Sequence, residues 1–182
     1  MPRATRSAKP PPALLVVELQ FATRRPWVPG PVNLRRWARA AHAAALAAMP
    51  ASQRRVHALT GAPSLCVRLV GSAESQRLDR VYRGKDQPTN VLSFPSSAEE
   101  RVATGMLGDL VVCAPVVARE ARQQGKPLAA HWAHMVVHGT LHLLGHDHLA
   151  ARDARAMEAL EVAILGGLGF HDPYVQVTPQ AV

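Results

Sequence analysis

The stretch His138-Gly139-Thr140-Leu141-His142-Leu143-Leu144-Gly145-His146-Asp147-His148 decides how the rest of the chain is read. His138 and His142 are four residues apart, so on a helix their rings share one face, one turn above the other, and can share a cation. Gly145 ends that helix, because glycine takes the left-handed conformation that most residues avoid, and the turn lets His148 come back toward the same ion. Three imidazole nitrogens with a fourth position left to water describe an open, hydrolytic zinc site rather than a closed structural one.

The spacing overlays the metzincin pattern His-Glu-x-x-His-x-x-Gly-x-x-His, with Gly139 standing where the protease glutamate belongs. That glutamate is the general base for water attack on a peptide carbonyl, so an ordinary zinc protease is not expected. Outward from the motif, Leu128–Leu144 is apolar almost all round, with Trp132, Met135, Val136, Val137, Leu141, Leu143 and Leu144. It should be a buried central helix whose histidines are buried with it. A single buried histidine is more often a core residue bonded to a carbonyl than a ligand; here the spacing outweighs that reading. His134 and His146 extend the four-residue ladder and compete as ligands. His134 lies a further turn back, and His146 follows the break, where its ring need not continue the helical face.

A chain of 182 residues suits one domain with a real core, and its 48% apolar and 19% charged residues are ordinary for a globular protein. No apolar run approaches the roughly 18 to 20 residues of a membrane span, so no membrane association is expected. Met1–Pro12 carries Arg3, Arg6 and Lys9 but no apolar core, which argues for a disordered basic tail over residues 1–13 rather than a secretory signal. Residues 14–175 form the expected domain and 176–182 a C-terminal tail. Cys66 and Cys113 sit in apolar runs without a Cys-x-x-Cys pair, which fits buried small hydrophobes and a reducing cytoplasm. The net charge of +8 favours a polyanionic partner, nucleic acid first, although an arginine-rich composition alone would also produce it.

Strands are expected at Leu14–Phe21, Ser64–Val70, Asn90–Phe94 and Leu107–Cys113, and helices at Val32–Met49, Ala73–Tyr82, Pro115–Gln124, Leu128–Leu144 and Ala151–Leu165. Ser96–Gly105 reads as exposed and mobile. The fold class is α+β: a single domain in which helices surround a small mixed sheet, with a zincin-like three-histidine metal site on the central helix.

Four motifs in order, Tyr82–Pro95 (YRGKDQPTNVLSFP), Leu107–Cys113 (LGDLVVC), Gln124–Gly139 (QGKPLAAHWAHMVVHG) and HGTLHLLGHDH, resemble those of the YbeY family, bacterial single-domain endoribonucleases of ribosomal RNA maturation. The resemblance spans roughly residues 60 to 175. It implies metal-assisted hydrolysis of single-stranded RNA by one Zn2+ per chain on His138, His142 and His148, with either a water or the RNA 2′-hydroxyl as nucleophile. It also marks Arg83 as catalytic, and a guanidinium suits a phosphate because its planar fork donates twice; its bland reading is a solvated loop residue. Lys85 is a further RNA-contact candidate, whereas Asp86 fits a loop-fixing role. Asp109 and Asp147 are candidate acceptors for the outer ring nitrogens of the ligands, although Asp109 could equally hold a turn. His146 stands where the family commonly has tyrosine, which leaves it a proton-handling or supporting role. The implied partners are ribosomal RNA, the small ribosomal subunit with its proteins, and a ribosome-assembly GTPase. Two other classes stay open: a zinc metallopeptidase with an unorthodox base, and a non-catalytic RNA-binding assembly factor with structural zinc.

Overall fold

Strand alternation and one all-apolar helix build the architecture. β1 (Val16–Phe21), β2 (Ser64–Val70), β3 (Val91–Pro95) and β4 (Met106–Cys113) form a sheet in the order β1-β2-β4-β3. β1 pairs parallel with β2 and β2 with β4, while β3 runs antiparallel on the outer side of β4. The helices are α1 (Pro31–Ala48), α2 (Ser72–Arg83), α3 (Ala98–Thr104), α4 (Ala114–Gln123), α5 (Leu128–Leu143) and α6 (Ala151–Gly167). The structure, a computed structural model, describes residues 14–23, 28–50, 62–146 and 151–175. The basic tail, the C-terminal tail, Asp147 and His148 therefore lie outside the described residues.

With a period of two, each strand sends alternate side chains to opposite faces. Leu65, Val67, Leu69, Leu110 and Val112 join Trp37, Trp132, Val136 and Leu141 in the main core between sheet, α1 and α5. Val70, Leu92, Val111 and Cys113 face the other way and pack with Val116 in a smaller cluster. The expected single α+β domain with a mixed sheet is what forms. Among the described residues no helix is long and apolar enough to cross a membrane.

Ser96–Gly105, read as exposed and mobile, is largely exposed and contains a helix that the sequence reading did not place. α3 buries none of its residues, yet Ser97 caps it: the Ser97 hydroxyl accepts from the Glu100 backbone N–H and the Glu100 carboxylate accepts from the Ser97 N–H. A capping box and side-chain-to-backbone hydrogen bonds carry this helix, so it has no apolar periodicity to reveal it. Its Arg101 donates to the Leu143 carbonyl at 2.6 Å, one of the last carbonyls of α5, which have no partner within their own helix.

α5 is buried on nearly every side, from His131 to Leu143. It lies so close to the sheet that a Cβ added at Gly139 would sit 2.9 Å from Leu110 Cδ2 and 3.2 Å from Val91 Cγ2. The position that carries the base in zinc proteases therefore points here into β3 and β4. Gly139→Glu should drive a carboxylate into this apolar contact and lower unfolding stability by about 3 kcal/mol or more, the scale of an unpaired buried charge. Urea denaturation measures this, and a variant as stable as wild type would mean that the position opens to solvent.

Candidate metal centre

α5 ends in a Schellman turn. The Gly145 N–H bonds to the His142 carbonyl at 3.0 Å and the His146 N–H to the Leu141 carbonyl at 3.1 Å, with Gly145 at φ +87°. The left-handed break expected at Gly145 is present. Upstream of it, His131, His134, His138 and His142 run along the helix.

Nε2 of His142 lies 3.1 Å from Nε2 of His138. Two nitrogens on a tetrahedral zinc at about 2.0–2.1 Å would stand roughly 3.3 Å apart, so this pair already has nearly the spacing of one edge of a metal site. On its other side, His138 Nδ1 is 2.7 Å from Glu161 Oε1. His134 Nε2 reaches Glu161 Oε2 at 3.2 Å, and the Tyr174 hydroxyl bonds to the same oxygen. His134, His138 and Glu161 thus offer three ligand atoms within 4.8 Å of one another, a group that could hold a metal. At 2.7 and 3.2 Å, however, the two nitrogen–oxygen contacts have hydrogen-bond lengths, and we read them as hydrogen bonds.

Burial alone would raise the Glu161 carboxyl, but the bonds from His134, His138 and Tyr174 together outweigh it and hold the pKa at about 2. Burial and the bond to Glu161 push the Tyr174 hydroxyl up in turn. A parallel network lies one turn earlier, where His131 Nε2 meets Glu120 Oε2 at 2.9 Å and Asn90 Nδ2 donates to the same carboxylate.

His138, His142 and Glu161 border a cleft of about 850 Å³ whose walls also include Arg83, Asn90, Ser93 and His146. Arg83 ends α2, is half exposed, and lies 3.5 Å from the buried Asp79 carboxylate. Gly84 caps the helix in the left-handed region, and Ser75 fastens the loop beyond it through two hydrogen bonds to the Thr89 backbone. His146 points Nε2 into the wall with no hydrogen-bond partner among the described residues, and burial lowers its pKa.

One expectation needs correction. Asp109 is on the sheet face opposite α5, because its neighbour Leu110 is the residue that packs under Gly139. It lines a second, smaller cavity with Cys66 and Arg68 and cannot support the histidines. Lys85 is exposed on its loop and is not among the residues that line the large cleft. Sequence reading also missed Glu161 and Tyr174 and set His134 aside. One signal was available: Glu161 interrupts the apolar face formed by Met157, Ile164 and Leu165 on α6.

A depressed carboxyl stabilises the fold fully above its unfolded pKa, near 4.3 for glutamate, and that contribution is lost as pH falls through about 2. Metal-free wild type should therefore lose melting temperature more steeply than Glu161→Gln between about pH 5 and about pH 2. Parallel acid profiles for the two proteins would show that the carboxyl is not held low.

Comparison with known proteins fits this arrangement. The family model described as Endoribonuclease YbeY matches residues 31–169. The curated Endoribonuclease YbeY of Alkalilimnicola ehrlichii is 52% identical over 163 residues, covering 88% of this chain and 91% of that protein. The solution structure of TM1509 from Thermotoga maritima shares the fold with a TM-score of 0.52 at 21% identity, over 88% of this chain and 99% of that one. A site of helix-borne histidines facing an arginine-lined cleft, within a match that takes in every described element from α1 to α6, leads to one conclusion: the chain belongs to the YbeY family of endoribonucleases.

Proposed function

We propose that this protein is a zinc-dependent endoribonuclease for single-stranded RNA, with one Zn2+ held by His138, His142 and His148. The observation that carries the reading is the convergence of the His138 and His142 Nε2 atoms and the Arg83 side chain on one cleft. A zinc ion there would supply a Lewis acid and lower the pKa of a bound water to about 7. The chain's own groups do the rest. Arg83 can fold its planar guanidinium onto two phosphoryl oxygens, and the buried Asp79 beside it fixes the direction from which it reaches. Because Gly139 leaves no side chain to take a proton, a substrate phosphate oxygen is the proposed acceptor. The +8 net charge supports a polyanionic substrate.

On the strength of the family, we extend the reading to small-subunit ribosomal RNA end maturation and ribosome quality control in the cytoplasm. The proposed partners are the small ribosomal subunit with its proteins and a ribosome-assembly GTPase. One observation favours a peptidase instead: β3 borders the cleft as an edge strand, the kind of edge along which an extended peptide can pair. Cleavage of casein but not RNA by metal-loaded protein would decide for that reading.

Rigorously purified protein, loaded or stripped of metal, should cut defined RNA only when loaded, and His138→Ala should not cut it. Alanine at His138, His142 or His148 should abolish stoichiometric zinc, whereas His146→Tyr should keep it. Metal analysis that finds zinc in His148→Ala but not in His146→Tyr would replace the third ligand.

Arg83→Ala should keep fold and zinc yet lose about 100-fold or more in cleavage, the scale of one oriented transition-state donor. Arg83→Lys should fall between the two, since it restores charge without the fork. An alanine variant within a few-fold of wild type removes Arg83 from the reaction.

A further inference from the structure

The Glu161 carboxylate is fully buried, yet its neighbours are two histidines of α5 and one tyrosine. An ionised carboxylate only accepts hydrogen bonds, so each of these neighbours must donate to it. A neutral imidazole has a single N–H, and which nitrogen carries it is set by the partner that the ring faces. For His138 the donating atom is Nδ1, at 2.7 Å. Its Nε2 therefore carries a lone pair, and this is the atom that meets His142 Nε2 at 3.1 Å. For His134 the donating atom is Nε2, which leaves Nδ1 with the lone pair, buried and without a hydrogen-bond partner among the described residues.

We propose that Glu161 is the positioning residue of the metal centre: by accepting a hydrogen bond from Nδ1–H of His138 it commits that ring's Nε2 lone pair to the ion, and by accepting one from Nε2–H of His134 it keeps that ring out of the ligand set. This rests on the reading that His138 binds the metal. One carboxylate thus sorts two successive rings of the same helical ladder into a ligand and a non-ligand. Tyr174 is the third donor and bonds to the same carboxylate oxygen as His134, so the segment that follows α6 helps to hold the carboxylate that aims a ring on α5. The competing arrangement, with Glu161 itself on the ion, would require the proton between His138 and Glu161 to be lost. It would also require their 2.7 Å contact to open toward the roughly 3.3 Å edge of a tetrahedral site.

The experiment uses the full chain with 15N-labelled histidine, metal-free, and long-range proton–nitrogen correlations that distinguish the two neutral tautomers. His138 should be protonated on Nδ1 and His134 on Nε2. Zinc affinity measured by chelator competition should fall about 10- to 100-fold in Glu161→Gln, the usual cost of losing an outer carboxylate on a ligating histidine. Glu161→Asp should fall between the two, and Tyr174→Phe, which leaves the His138 bond intact, should stay within about threefold of wild type. The visible spectrum of the Co2+-substituted protein should keep its shape in Glu161→Gln.

Wild-type His138 protonated on Nε2, zinc affinity unchanged in Glu161→Gln, or a Co2+ spectrum altered by that variant would each overturn the proposal, the last by making Glu161 a ligand. The tautomer measurement on wild type needs no variant to fold. If His138→Ala binds zinc as wild type does, the reading of His138 as a ligand fails instead, and the tautomers of the metal-free chain still judge the hydrogen bond separately.

Discussion

A helix buried on nearly every side has little solvent to satisfy its polar side chains, and α5 carries four histidines along its length. Each buried imidazole without a partner costs free energy, so the surrounding elements must bring partners to it. They bring carboxylates. Glu120 on α4 meets His131, and Glu161 on α6 meets both His134 and His138. His142, nearest the helix end, is the one that looks into the cleft beside His138 Nε2. Along this helix the histidines therefore pass from buried carboxylate pairing to the cleft wall as they approach the Schellman turn.

The same close packing separates this site from a zinc protease with a similar histidine spacing. In the protease pattern the residue after the first histidine faces the cleft and serves as base. Here that residue is glycine because α5 approaches Leu110 and Val91 too closely for a Cβ. A scaffold that seats this helix so deeply leaves no room for a side-chain base at that position, and the proposed substrate carries anionic oxygens of its own.

Much of this was legible in the sequence, for physical reasons that differ by element. β2, with alternating faces, and α5, apolar all round, lie within a residue of where periodicity places them. Gly145 was readable because only a glycine commonly ends a helix in the left-handed region. α3 was missed because it is held by a capping box and an arginine rather than by buried apolar residues, although Ser97-x-x-Glu100 was there to be read. Asp109 was misplaced although strand alternation assigns it to the face opposite Leu110. Glu161 and Tyr174 lie 23 and 36 residues beyond His138, and no local pattern ties residues at such separations together. What betrays Glu161 is chemical: a carboxylate in the midst of an apolar helix face must have donors waiting for it.

The free edge of β3 beside the cleft has one more consequence. An unpaired strand at a sheet edge is a template on which another chain can add, and among the described residues the sheet keeps two such edges. Both are short: β1 has six residues and turns Glu18 and Gln20 outward, while β3 has five and ends at Pro95, which has no N–H to offer a neighbouring strand. The rim of the cleft can thus stay open to a substrate without inviting the molecule to stack on copies of itself, so accessibility and colloidal stability are reconciled by the length of a single strand.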